Sequence, residues 1–249
     1  MISVINIPQL NDNYSYAITK NKEIVIIDPA ESISILKYIE NNQLILKGIL
    51  ITHHHSDHTM GIEGILNQHK VRVYSPNSNI KKTTNIIKDK DIIDLNFIKI
   101  KVIDTPGHTI DHVVFYNEEN NLLFSGDTLF RLGCGRIFEG SYKQMYNSLK
   151  KIDDLNNKTN VYCGHEYTNT NLNFLLSIFP KNENLLDEKK KIDLQLKKTK
   201  SSIPFNLGRE KNLNPFLTSK SNIYNKFKDD KNLSNFELFS YLRDLKNNF

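Results

Sequence analysis

The chain has 249 residues, 24% of them charged and 39% hydrophobic, and a formal net charge of +5 at pH 7. This length is sufficient for a buried core, and no apolar run approaches the roughly 20 residues of a membrane-spanning helix, so we expect no membrane partner. The mild positive charge suits an anionic small molecule, and the lack of a basic arm argues against nucleic acid. Because the two cysteines lack CxxC spacing and the first residues lack a signal segment, we expect a soluble protein of the reducing cytoplasm.

The first two thirds of the chain are predicted to form short strands. Apolar runs between turn residues predict strands at 4–7, 14–19, 23–27, 49–51, 71–74, 97–104, 112–116, 121–125 and 160–163. The first three are separated only by polar turns and therefore predict an antiparallel meander. Apolar residues at helical spacing predict helices over 31–42 and from Gly61 onward, on either side of the strand at 49–51.

Helical patterns replace strands from about residue 168. Apolar residues at helical spacing run from Leu172 to Phe179, and a highly charged segment follows at 183–200. A closing helix is predicted over 234–246, with Ser234 as its N-cap and Glu237 completing a capping box. We therefore predict two domains, at 1–167 and 168–249, the second of which is small and helical.

Four of the eight histidines lie between residues 53 and 58, in the order His-x-His-x-Asp-His. Imidazole and carboxylate groups are ligands of Zn²⁺, Fe²⁺ and Mn²⁺. At extended spacing the side chains of His53 and His55 point to the same side, and Asp57 and His58 follow where the chain turns and can approach a second ion. The motif therefore predicts two cations in one pocket; a histidine-rich surface loop without metal is the disfavoured alternative.

Three further residues can complete such a site. His108, Asp127 and His165 each follow a predicted strand, as the histidine cluster does. Each alone is also consistent with a structural role, but ligands on loops at strand ends are typical of a site on the rim of a rigid scaffold. We therefore expect all three to join the cluster. Asp28, at the end of an earlier strand, is interpreted either as a turn residue or as a support for a metal ligand.

The order of these motifs, His-x-His-x-Asp-His followed by a single histidine, Gly-Asp-Thr and Gly-His, resembles the metallo-β-lactamase superfamily. That resemblance implies an α+β fold, a four-layer αββα sandwich, here with a small C-terminal helical domain. More selective motifs, at residues 133–136 (Gly-Cys-Gly-Arg), 139–140, 162–168 and 214–217, resemble the hydroxyacylglutathione hydrolase (glyoxalase II) family. The likeness extends from residue 1 to the last predicted helix.

The resemblance implies a site for two divalent ions. One ion would be bound by His53, His55 and His108 and the other by Asp57, His58 and His165, with Asp127 bridging both. His54 would point into the supporting structure, and His112 would pack beside the site. Zinc is the expected metal, and iron and manganese are alternatives because this ligand set suits all three.

The implied activity is hydrolysis of S-2-hydroxyacylglutathione thioesters, such as S-D-lactoylglutathione to glutathione and D-lactate, the second step of methylglyoxal detoxification. A metal-bridging hydroxide would be the nucleophile, since a bound dication lowers the pKa of water to about 7. Asp57 would orient this water in addition to binding metal. The leaving thiol has a pKa near 8.5, so its thiolate departs without a strong general acid.

The same family implies how a glutathione thioester is recognised. The substrate is a net anion, and Arg136 matches a basic position that can pair with its glycine carboxylate, although an exposed loop arginine is the alternative. Tyr167 matches a tyrosine that donates to the glutathione backbone.

The chain departs from the family pattern in two places. Phe138 stands where many relatives have a tyrosine, and Thr218 and Ser219 stand where an arginine is common, so that Lys220 is the candidate for that role. Because such contacts hold ground state and transition state alike, both departures predict a raised KM rather than a lowered kcat.

Several other functions share the first motif. The alternatives are another hydrolase of this fold or a persulfide dioxygenase acting on a glutathione conjugate, although the dioxygenase would use one iron and fewer ligands. Flavin-linked di-iron oxidoreductases would have a glutamate in place of His55 and a flavin domain, and a β-lactamase would be exported. A non-enzymatic, metal-stabilised binding module is the alternative from a different class, and its site would be closed by protein ligands. We expect a monomer.

Overall fold

The structure, a computed structural model, describes residues 1–217 and 222–249 and contains two compact units. The first unit comprises Met1–Asp104 and Asp111–Gly126, and the second comprises Thr105–Ile110 and Asp127–Phe249. Among the described residues, no helix has the length and apolar character needed to cross a membrane.

The first unit begins with the predicted antiparallel meander. Its first sheet contains, in order, β1 (Ser3–Gln9), β2 (Asn13–Lys20), β3 (Glu23–Ile27), β4 (Ile45–Leu50), β5 (Arg72–Ser75) and β6 (Asn85–Ile86). The strands β1, β2 and β3 pair antiparallel, whereas β3, β4, β5 and β6 pair in parallel. Parallel neighbours require crossovers, and these contain α1 (Ile33–Asn41), α2 (Ser56–Thr59) and α3 (Ile62–Leu66).

Four antiparallel strands complete the first unit. They are β7 (Ile92–Asp94), β8 (Lys99–Asp104), β9 (Val113–Asn117) and β10 (Leu122–Gly126). Every residue of β9 and β10 is buried, which is typical of strands covered on both faces. The rings of Tyr16 on β2 and Phe124 on β10 lie 5.6 Å apart, so the two sets of strands share a core.

Helices dominate the second unit. Its strands are β11 (Leu129–Phe130) and β12 (Gly133–Cys134), which form a hairpin, and β13 (Asn160–Cys163) and β14 (Phe205–Asn206), which pair antiparallel. Its helices are α4 (Tyr142–Asp153), α5 (Thr168–Ile178), α6 (Glu183–Thr199), α7 (Leu207–Leu213), α8 (Asn222–Asp230) and α9 (Asn235–Asn247).

The predicted strands and helices all occur, with ends shifted by a few residues. The elements missing from the sequence prediction are the short strands β6, β7, β11, β12 and β14 and the helices α2, α4, α7 and α8. Strands of two or three residues carry no measurable alternation. For α4 a signal was available, because Ser141 and Gln144 form a capping box before buried residues at helical spacing.

The predicted capping box at the start of α9 is confirmed and generates a stability test. The Ser234 hydroxyl accepts from the Glu237 backbone N–H at 3.3 Å, and the Glu237 carboxylate accepts from the Ser234 N–H at 2.7 Å. We expect Ser234→Ala to lower the free energy of unfolding by about 1 kcal/mol in urea denaturation. Ser240→Ala on the same helix is the control, because that hydroxyl bonds only to a carbonyl within the helix and alanine favours helix. Equal losses in both variants would contradict a capping role.

Candidate metal centre

The loop between β4 and α2 brings the histidine cluster of the first unit together. The ring centroids of His53 and His55 are 4.7 Å apart, and those of His53 and His58 are 4.3 Å apart. Potential ligand atoms in each of these pairs, and in Asp57 and His58, lie within 4.8 Å of one another. His53 and His58 are buried, whereas the side chain of Asp57 is 34% exposed. The first unit therefore concentrates four predicted donors within six residues, on the loop after β4 and in α2.

Asp28 orients two of these histidines. Its carboxylate accepts from the Thr52 backbone N–H at 2.8 Å, from the Thr52 hydroxyl at 2.7 Å and from Nδ1 of His58 at 3.0 Å. Because the Thr52 hydroxyl donates to Asp28, it can accept from Nδ1 of His53, which lies 3.0 Å away. Both histidines are thereby assigned the tautomer with Nδ1 protonated, in which the lone pair of Nε2 could bind a metal.

Asn13 fixes the carboxylate of the cluster. Its side-chain amide donates to Oδ2 of Asp57 at 2.9 Å and to the Asp57 carbonyl at 3.3 Å. Sequence reasoning assigned Asn13 to a turn and gave Thr52 no role, because neither residue type at a strand end indicates which side chain it will meet. Of the two interpretations of Asp28, the structure favours the supporting role, because its carboxylate holds His58, a predicted metal ligand.

Two further histidines of the first unit, His54 and His112, make other contacts. Nδ1 of His54 lies 2.9 Å from Oδ1 of Asp111, whose second oxygen accepts from the Asn77 amide at 3.1 Å. The buried ring of His112 stacks on His53, with centroids 4.8 Å apart and planes at 27°. His54 is thus held by Asp111, and the ring of His112 packs against His53, a predicted metal ligand.

In the second unit, one carboxylate oxygen lies between two histidines. Oδ2 of Asp127 is 3.4 Å from Nε2 of His108 and 3.3 Å from Nε2 of His165, and all three residues are buried. Ligands of one tetrahedral ion with bonds of about 2.0–2.2 Å are roughly 3.3–3.5 Å apart, so these separations fit neighbouring ligands. Nδ1 of His108 donates to the Arg136 carbonyl at 2.8 Å, which again leaves Nε2 for a metal.

The two glycines of the Gly-Cys-Gly motif lie where a side chain would collide with neighbouring atoms. A Cβ atom placed on Gly135 would lie 1.9 Å from the Asp127 carbonyl oxygen, and one on Gly133 would lie 2.7 Å from the side chain of Asn171. Any larger residue at position 135 would therefore displace the segment beside the ligands.

The three described substrate candidates lie beside the histidines of the second unit. Arg136 is exposed, and its guanidinium carbon is 5.6 Å from the centroid of the Phe138 ring. Phe138 is 60% exposed and meets the His108 ring edge-on at 5.2 Å. Tyr167 stacks on His165 with centroids 4.7 Å apart and planes at 5°. Lys220, with Thr218 and Ser219, lies outside the described residues.

The cysteines carry no activated thiolate. Cys134 and Cys163 are both buried and do not form a disulfide. Burial raises the pKa of the Cys134 thiol and raises that of the Cys163 thiol well above its usual range. Both therefore remain protonated near neutral pH, which leaves the His and Asp side chains as the chemistry-bearing groups of the site.

The role of Asp28 can be tested without changing any donor. We expect Asp28→Asn to weaken metal binding about 10–100-fold, because the amide does not reproduce the carboxylate that holds His58. Competition with a chromophoric chelator measures this affinity. Asp94→Asn is the matched control, since that carboxylate lies at the surface 3.6 Å from the Lys99 ammonium. Unchanged metal affinity in Asp28→Asn would show that Asp28 does not support the ligand.

Two family models match the chain in adjoining segments. The model described as the metallo-beta-lactamase superfamily matches residues 10–165, and the model described as the hydroxyacylglutathione hydrolase C-terminus matches residues 166–249. Membership of the superfamily, together with the His and Asp clusters, indicates a dimetal site.

Whole-length comparisons agree with these models. A hydroxyacylglutathione hydrolase of Aliivibrio fischeri (strain MJ11) is 41% identical over 257 residues, covering 100% of both chains. The crystal structure of ETHE1 from Myxococcus xanthus has a TM-score of 0.67 at 22% identity, covering 96% of this chain and 95% of that one. A metallo-beta-lactamase from Staphylococcus aureus subsp. aureus COL has a TM-score of 0.64 at 23% identity, covering 98% of this chain and 72% of that one. The predicted α+β metallo-β-lactamase fold with a C-terminal helical domain is confirmed, and the chain belongs to the hydroxyacylglutathione hydrolase family.

Proposed function

We propose that the protein is a thioester hydrolase that converts S-2-hydroxyacylglutathiones, in particular S-D-lactoylglutathione, to glutathione and a 2-hydroxy acid. The observation that carries this proposal is the match of residues 166–249 to the hydroxyacylglutathione hydrolase C-terminus. Proteins with many different activities share the superfamily motif, whereas the model that matches this C-terminal segment is described for hydroxyacylglutathione hydrolases alone. The relatives named hydroxyacylglutathione hydrolase do not favour another hydrolase or a persulfide dioxygenase.

We propose that two divalent ions bind to seven side chains. The first ion is assigned to His53, His55 and His108, the second to Asp57, His58 and His165, and Asp127 is assigned to both. Coordination by these side chains is supported by the Nδ1 hydrogen bonds of His53, His58 and His108, which leave Nε2 as the donor atom. It is also supported by the position of Oδ2 of Asp127 close to both His108 and His165. Zinc is the proposed metal, with iron or manganese as alternatives.

The chain's own residues then account for binding and orientation. When bound, such ions lower the pKa of a water ligand to about 7 and polarise a carbonyl oxygen. Asp57, fixed by the Asn13 amide, is assigned to orienting the attacking water. Arg136 is assigned to the glycine carboxylate of glutathione, because its guanidinium is exposed beside the ring of Phe138. Tyr167 is assigned to the peptide backbone of the substrate, and Lys220 to an additional anionic contact.

The remaining predictions concern organisation and cellular role. We propose a metallo-β-lactamase-like catalytic domain at 1–167 and a helical substrate-binding domain at 168–249, close to the junction of the two family models at 165 and 166. A monomer that acts in the cytoplasm on methylglyoxal-derived thioesters stays a prediction. The two buried cysteines, which do not form a disulfide, are compatible with that reducing compartment.

The activity itself is tested by hydrolysis of S-D-lactoylglutathione. We expect the purified, metal-loaded protein to release free thiol, to lose this activity on dialysis against a chelator, and to regain it when zinc is restored. A lactone and a phosphodiester serve as control substrates. Turnover of either control substrate with an inert thioester would assign the chain to another activity of this fold.

Two substitutions separate metal binding from substrate binding. We expect Asp127→Ala to abolish both activity and metal content, because its carboxylate is assigned to both ions. Arg136→Ala should raise KM about tenfold with unchanged kcat and metal content, since a charged hydrogen bond contributes roughly 1.5–3 kcal/mol when buried and less when exposed. Arg72→Ala, which removes an exposed arginine from β5, is the control. Equal losses of kcat in Asp127→Ala and Arg136→Ala, at full metal content, would contradict this division of roles.

A further inference from the structure

The β11–β12 hairpin and the two residues that follow it, here called the 129–136 segment, end at Arg136. Leu132 at the turn of the hairpin has φ of +59°, a conformation that a bulky side chain rarely adopts. Such a residue persists only where its surroundings hold it in place. The groups that hold it come from the C-terminal helices.

Four buried polar side chains bind the backbone of the 129–136 segment. The Asn171 amide donates to the Arg131 carbonyl at 3.0 Å, and the Glu210 carboxylate accepts from the Leu132 N–H at 2.7 Å. The Asn214 amide donates to the Gly133 carbonyl at 3.0 Å and to the Phe130 carbonyl at 3.4 Å. The Arg243 guanidinium donates to the Cys134 carbonyl at 2.9 Å. Five consecutive residues are thus held by groups from α5, α7, the end of α7 and α9.

These four side chains have little freedom to move. Each is at most 4% exposed, and Asn214 also donates to Glu210 at 3.1 Å. The Arg131 side chain extends from the same segment and is itself buried, with bonds to the Ser202 carbonyl at 2.7 Å and to Glu188 at 2.7 Å. Buried hydrogen-bond networks of this kind favour one conformation, because a displaced segment would leave these buried polar groups unsatisfied.

The fixed segment leads directly to Arg136. Cys134, the last residue held by a helix, is two positions before it, and the intervening Gly135 leaves no space for a side chain against the Asp127 carbonyl. The Arg136 carbonyl accepts from His108, so its backbone is anchored while its guanidinium is exposed. A shift of the segment would therefore change where the guanidinium is presented.

We propose that Asn171, Glu210, Asn214 and Arg243 are positioning residues for Arg136. They act through the 129–136 segment and hold the guanidinium where it meets the carboxylate of the substrate. This inference rests on the proposed function, since it requires that Arg136 binds a glutathione carboxylate. In this way the C-terminal helices affect substrate affinity through the 129–136 segment, in addition to any contact of their own with the substrate.

Two variants from different helices test the positioning role. Arg243→Met keeps the length of an unbranched side chain and removes the bond to Cys134, and Asn171→Ala removes the bond to Arg131. For each we expect KM for S-D-lactoylglutathione to rise about tenfold, with kcat and metal content equal to those of the wild type. Arg243→Lys retains a cation and should give a smaller rise. Tyr224→Phe is the matched control, because it removes a buried hydrogen bond to the Leu213 carbonyl that does not involve the 129–136 segment.

A double-mutant cycle separates positioning from general stability. In an Arg136→Ala background, Arg243→Met should cause no further rise in KM, because the group it positions is already absent. A KM like that of the wild type in folded Arg243→Met and Asn171→Ala would overturn the inference. An equal rise of KM in Tyr224→Phe would also overturn it, as would a loss of bound metal without a loss of substrate affinity, or additive effects on KM in the double-mutant cycle.

If Arg243→Met and Asn171→Ala do not fold, Arg243→Lys decides. A KM that is raised in Arg243→Lys alone and not raised further in the Arg136→Ala background supports positioning, and an unchanged KM overturns it. Inactivity of the wild type on the thioester would instead refute the proposed function.

Discussion

Hydrogen bonds at Nδ1 of the histidines are the constraint on which the candidate metal centre depends. An imidazole can bind a metal through either nitrogen, and the partner of the other nitrogen selects which one is available. Here Thr52, Asp28 and the Arg136 carbonyl occupy Nδ1 of His53, His58 and His108, respectively. The three rings thereby acquire the same tautomer before any ion binds, because the strands of the first unit and the 129–136 segment of the second hold their Nδ1 partners in place.

In the first unit, the ends of two neighbouring strands place the groups that bond to Nδ1 of the histidines, namely Asp28 and Thr52. Asp28 directly follows β3, and its backbone N–H donates to the carbonyl of Leu50 at the end of the neighbouring parallel strand β4. The same pairing places Thr52 beside the Asp28 carboxylate, because the chain leaves both strands at one edge of the sheet. The second unit uses a different scaffold, in which helices hold the 129–136 segment and that segment supports His108 and presents Arg136. The predicted donors therefore lie on loops or, for Asp57 and His58, in the short helix α2, and buried, regular structure fixes these segments.

The sequence was sufficient to predict the main strands and to place the predicted donors beside them, and the reason is local. The strands β4, β8, β10 and β13 end one to four residues before His53, His108, Asp127 and His165, respectively, so each strand and its predicted donor are encoded close together. The partners of the donors could not be predicted in this way. Asn13 meets Asp57 across 44 residues, and Arg243 meets Cys134 across 109, and only the folded chain determines such pairs. The motif at 214–217 was recognised only by resemblance, whereas the structure gives a physical reason for Asn214, whose amide holds Gly133 and Phe130.

Anomalous X-ray diffraction from crystals of the metal-loaded protein tests the central claim most directly. Data collected on either side of the metal absorption edge locate each ion independently of the protein atoms. We predict two ions per chain, one bound by His53, His55 and His108, the other by Asp57, His58 and His165, and both in contact with Asp127. A single ion, or two ions of which neither contacts Asp127, would contradict the proposed centre.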